Sequence, residues 1–135
     1  MKYLLCALLA ALALNAQQQP QPEDPIGRYL IPPELVMTHA AQLNLTEKQR
    51  TTIKSEIQKT QAKFLELQWD LQEETGRMTQ LLQQTPVDEV KVLETADGVM
   101  ALEREIKRAH LGMLVRIKNA LTAEQVGKLE GLRKK

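Results

Sequence analysis

The chain holds a single cysteine, Cys6, and only 3% of its 135 residues are aromatic. Strands draw on aromatic and β-branched side chains, so this scarcity argues against a sheet protein. No uninterrupted apolar run reaches the roughly 20 residues that a membrane-spanning helix needs; Tyr3 to Leu14 has twelve. Lys2 ahead of that run and Ala16 behind it predict a cleaved signal peptide over residues 1–16. Cys6 precedes most of the apolar run instead of ending it, which excludes a lipoprotein anchor. Cleavage after Ala16 would leave no disulfide and no thiolate ligand in the exported chain. It would also remove Lys2, leaving 17 basic residues against 17 acidic. Phosphate binding draws on a basic excess, so nucleic acid is not an expected partner. There is no Gly-x-Ser-x-Gly turn and no glycine-rich phosphate loop, and isolated seam carboxylates such as Glu74 and Glu103 suit register better than chemistry. A binding protein is expected, not an enzyme.

What the sequence does contain is helix-forming Leu, Ala, Gln, Glu, Lys and Met. Residues 17–31 open with the Gln- and Pro-rich stretch QQQPQPEDP and read as a linker. Residues 32–135 read as one all-α domain of four helices. The first opens at Pro32-Pro33-Glu34 and runs to about Leu43, with Leu35, His39 and Leu43 on one face. The second starts at Thr46 and reaches about Gln84. Its seam of Ile53, Ile57, Thr60, Phe64, Leu67, Leu71, Glu74, Met78 and Leu81 alternates steps of four and three. Thr85, Pro86 and Asp88 are expected at the N-cap, N1 and N3 positions of the third helix, which runs to about Ala120. Its apolar face comprises Val92, Leu93, Ala96, Val99, Met100, Ile106, Met113, Leu114 and Ile117. A short fourth helix follows Thr122, carrying Val126, Leu129 and Leu132. The brief link at Thr85 folds the two long helices into an antiparallel hairpin flanked by the short ones. Such a hairpin encloses only a thin core, and a second copy is the expected partner for its exposed flank.

Two segments repeat Leu-Thr-x-x-Gln: Leu45, Thr46 and Gln49, then Leu121, Thr122 and Gln125. Each threonine can accept from the N3 backbone N–H while the glutamine reaches back to the N-cap N–H, which is a capping box. Leu121 has Val126 at the matching staple position, whereas Leu45 has only the stem of Arg50. Two such boxes bracketing a long hairpin behind a signal peptide resemble the Spy/CpxP family of periplasmic stress proteins. The Pro32-Pro33-Glu34-Leu35-Val36-Met37 entry followed by His39 resembles its heavy-metal-resistance and metal-sensor branch.

That resemblance implies a periplasmic protein that forms curved helical homodimers. It implies an ATP-independent chaperone or a metal-responsive sensor; the alternative is a regulator that binds no metal and restrains a membrane stress-signalling partner. Zinc, nickel, cobalt and copper are the ions bound within the family, and none is a required cofactor. The candidate ligands here are His39, His110 and Met113, with Glu34 or Glu103 as carboxylate companions. Sensor relatives pair two histidines one turn apart, yet Leu35 and Leu43 occupy those positions around His39. Four residues after His110 stands Leu114, although Met113 at i+3 still shares its face. The other reading of both histidines is packing among leucines. For the chaperone branch, Ala62, Leu65 and Trp69 fall on the outer side of the second helix, as a client or dimer surface. Charge is uneven as well: residues 47–63 carry five basic and two acidic groups, residues 64–102 two and eight, and residues 103–135 nine and four.

Overall fold

A computed structural model describes residues 24–133. The expected signal peptide and the first part of the linker lie outside the described residues. A 3-10 turn over Gly27–Tyr29 leads into α1 (Pro33–Thr38) and α2 (Ala40–Leu43), then α3 (Glu47–Leu82), α4 (Glu89–Ala120) and α5 (Ala123–Arg133). At 1.5 Å per residue, the 36 residues of α3 and 32 of α4 make rods of about 54 and 48 Å. They pack antiparallel, as the brief link between them predicted. Lys63 meets Glu105 at 3.5 Å, Arg116 meets Glu56, and the Phe64 and His110 rings stand edge to face with centroids 6.2 Å apart. Gly98 lies where the seam carboxylate of Glu74 crosses: a Cβ there would come 3.4 Å from the Glu74 Oε2.

Three expectations are corrected. The first helix breaks at His39, whose backbone (φ −107°, ψ 14°) leaves the helical region, and α2 ends on Asn44 in the left-handed conformation that asparagine tolerates. The cap of α4 is Asp88, not Thr85: its carboxylate accepts from the Lys91 N–H at 3.2 Å, and aspartate outranks threonine as a cap. Leu93 and Met100 do not join the inner face of α4. They are exposed, because the residues turned toward α3 include Thr95 and Met113 on the opposite side of the rod.

The core gathers at one end. Ile31, Val36, Leu43, Ile53, Met113, Ile117, Leu121 and Leu129 bury together, where the short helices close over the start of α3 and the end of α4. Beyond it the seam is carried by Thr60, Leu67 and Thr95, the buried residues of the hairpin outside that cluster.

Both capping boxes form as expected. The Gln49 N–H donates to the Thr46 Oγ1 at 3.1 Å and the Thr46 N–H to the Gln49 Oε1 at 2.9 Å. At the second box the Gln125 N–H donates to the Thr122 Oγ1 at 3.2 Å and the Thr122 N–H to the Gln125 Oε1 at 2.9 Å. The two boxes are also one device. Gln49 Nε2 donates to Gln125 Oε1 at 2.7 Å, and Gln125 Nε2 donates back to Gln49 Oε1 at 3.2 Å. The remaining N–H groups go to orphan carbonyls at helix ends, Gln49 to Ala120 and Gln125 to Leu43, both at 3.0 Å. Each side-chain amide thus uses both donors and both acceptor sites, so a glutamine with only 8% exposure at position 125 leaves nothing unpaired. This clasp fixes α2 and α5 against the end of the hairpin opposite its turn.

Candidate functional site

Two clefts and two outer edges are the surfaces that could receive a ligand or partner. The larger cleft, about 690 Å³, opens between the connector that precedes α1 (residues 24–32), α1, α3 and α4. Phe64, Met113, Leu114 and Ile57 form its apolar wall, and Asp24, Glu34 and His110 supply its ionisable groups. Met37 reaches it from α1. The connector is held over this region by cations that donate to its backbone: Arg133 to the carbonyls of Gly27, Arg28 and Leu30, and Lys118 to that of Tyr29.

The candidate metal ligands divide between locations. His110 and Met113 line the larger cleft together, with Glu34 also in its wall. His39 sits at the junction of α1 and α2 and is not part of that lining. Glu103 belongs to a shallow groove on the outer side of α4. Among the described residues, no three His, Cys, Asp or Glu side chains converge closely enough to hold an ion. A zinc site built from those donors therefore does not fit. The imidazole and thioethers of the cleft suit a soft ion instead.

The outer edges are apolar. On α3, Leu65 and Trp69 are 59% and 65% exposed, and Ala62 beside them is exposed too, so this stripe is not covered by the short helices. On α4, Val90, Leu93, Met100, Leu111 and Val115 follow the side turned away from α3. Arg104, Lys107 and Arg108 interrupt that edge around a groove that Met100 and Leu111 also line, and none of the three forms an ion pair among the described residues. The edge of α3 is acidic by comparison, with Glu66, Asp70 and Glu73 around Trp69.

Of the α4 edge, the sequence pattern marked only Leu93 and Met100, and as inner positions; nothing in the spacing singled out Val90, Leu111 or Val115. The cross-link between the two capping glutamines left a trace only in the repetition of the motif. Among described residues, no helix is long and apolar enough to cross a membrane. A family model described as heavy-metal resistance matches residues 3–128 of the chain. No curated protein and no solved structure shows significant similarity to it.

Proposed function

Since the chain belongs to the heavy-metal-resistance family, we propose that it is an exported protein that protects the cell envelope by binding the apolar segments of unfolded proteins. In this reading it acts in the periplasm, without ATP and without chemistry of its own. The observation that carries the reading is the outward apolar surface of both long helices, far more than a core confined to one end of the hairpin can use. Exposed apolar patches of this extent mark interaction surfaces.

The two edges take different roles. The stripe of Ala62, Leu65 and Trp69 suits a second copy. Two antiparallel α3 helices would set Leu65 opposite the other copy's Trp69, twice, as an isologous interface requires. The basic half of each α3 would then lie along the acidic half of the other. The α4 edges remain on the outside of such a homodimer. There Arg104, Lys107 and Arg108 would speed encounter with acidic unfolded segments, and Leu93, Met100, Leu111 and Val115 would hold them.

Light scattering of a reduced, aggregating client tests this. The protein should suppress aggregation near equimolar ratio, less well in high salt, and poorly as the Leu111→Ser/Val115→Ser double variant. Identical aggregation with and without the protein would refute the role.

A second reading rests on His110 and Met113 sharing one cleft with Met37 and Glu34. These residues would hold a soft ion such as copper(I) through one imidazole nitrogen and thioether sulfurs. Isothermal titration with copper(I), zinc and nickel checks it: heat for copper(I) that vanishes in His110→Ala supports the site, and no heat above buffer for any ion removes it.

A further inference from the structure

The other side of α1 carries a second cleft, of about 380 Å³, and its chemistry is the reverse of the first. Val36, Met37, Ala40, Leu45, Ile53 and Ile57 form its floor and walls. The remaining lining residues are Arg50, Lys54 and Gln58, so every ionisable group in this cleft is cationic. Neither Arg50 nor Lys54 forms an ion pair among the described residues. The Arg50 guanidinium makes one long hydrogen bond, 3.5 Å from Nε to the Leu45 carbonyl. Spaced four residues apart, the two cations stand one above the other on the same face of α3.

We propose that this cleft binds an apolar chain ending in a carboxylate, a single-chain fatty acid. Its volume lies within the range of small-molecule sites. Its walls are aliphatic and thioether, suited to methylenes, and the exposed Met37 can adjust to chain length. Arg50 supplies the planar fork that matches a carboxylate, with Lys54 as a second point charge. The cleft across α1, with Asp24 and Glu34 in its wall, would repel the same head group. The proposal is independent of client binding along α4, which uses residues outside this lining.

The test displaces a dansylated undecanoic acid from the exported chain with unlabelled amphiphiles below their micelle concentrations. Dodecanoate should displace it, and dodecyltrimethylammonium, of equal chain length and opposite charge, should be at least about tenfold weaker. From octanoate to decanoate, affinity should rise about fourfold per methylene, as burial of one CH₂ predicts. Arg50→Glu/Lys54→Glu should weaken dodecanoate about tenfold or more and leave circular dichroism unchanged, both side chains being exposed. Ala40→Trp, which fills the cleft, should abolish displacement while leaving client protection intact. Equal displacement by the two head groups, no dependence on chain length, or stronger displacement by an apolar peptide with a free C-terminus than by dodecanoate would each overturn the proposal.

Discussion

Gln125→Glu is the substitution that separates the glutamine clasp from ordinary helix capping. The carboxylate keeps the shape of the amide and can still accept from the Thr122 N–H and from Gln49 Nε2. It loses both donations, to the Leu43 carbonyl and to Gln49 Oε1, and sets oxygen against oxygen at each. An unpaired group at a buried site costs about 1–3 kcal/mol. The Leu43 carbonyl loses this donor and Gln49 Oε1 keeps only the Thr46 N–H, so the change at a residue 8% exposed should cost about 2–3 kcal/mol at pH 7. Thr122→Ala, which removes only the cap, should cost about 1 kcal/mol. Burial and the facing oxygens raise the carboxyl's pKa in the folded state above its unfolded value. The penalty relative to the parent protein should then be full above the folded value and shrink as pH falls through it, when protonation restores one donor. Urea unfolding followed by far-UV circular dichroism reads this as a lower midpoint at unchanged slope. A double variant with Gln49→Glu should cost more than the sum of the single changes at pH 7, because two carboxylates would then face each other and the amide donation that each single variant keeps would be lost. A Gln125→Glu cost within 0.5 kcal/mol of zero, or one that persists unchanged into acid, would refute the clasp as an energetic unit.

Four further outcomes follow from the packing. Leu129→Ala should cost about 2–5 kcal/mol in the same urea assay, since its side chain is fully enclosed, whereas Leu93→Ala should stay within about 0.5. Asp88→Ala should cost about 1 kcal/mol and Thr85→Ala under half that, distinguishing the true cap of α4 from the one its sequence suggested. Trp69 should emit at the wavelength of a hydrated indole in dilute protein and shift to the blue with rising concentration as the proposed homodimer forms; an emission maximum independent of concentration, already blue at high dilution, would contradict its exposure. Arg133→Ala should speed amide exchange at residues 27–31 without moving the global unfolding midpoint, because its bonds run to backbone carbonyls of that turn.

Much of this architecture was legible in the residues. The 4-3 spacing from Ile53 to Leu81 and the threonines at 46 and 122 marked the long helix and two helix starts, because periodicity and caps are local signals. Where the reading failed, the deciding interaction was either a choice among neighbouring caps or a matter of direction. Thr85 and Asp88 are both competent caps, and backbone geometry chose between them. Leu93 and Met100 sit beside inward positions in sequence, and a broad apolar stripe does not reveal which margin meets the partner helix. His110 and Met113 could be placed on one helix face, but that His39 stands apart from them depends on how α1 lies across α3 and α4. The cleft with Arg50 and Lys54 is likewise a product of that crossing, and no spacing within one segment announces it.

Confining the enclosed residues to the clasped end turns the hairpin into a lever. The pair of glutamines and the leucines beneath them act as the fulcrum, and the two rods project from it as arms of roughly 50 Å. A rotation of about 5° at the fulcrum would carry the far loop about 4 Å, with little buried there to resist it. Ile117 and Leu129 sit at that pivot, and the cleft beside α1 lies on its short side.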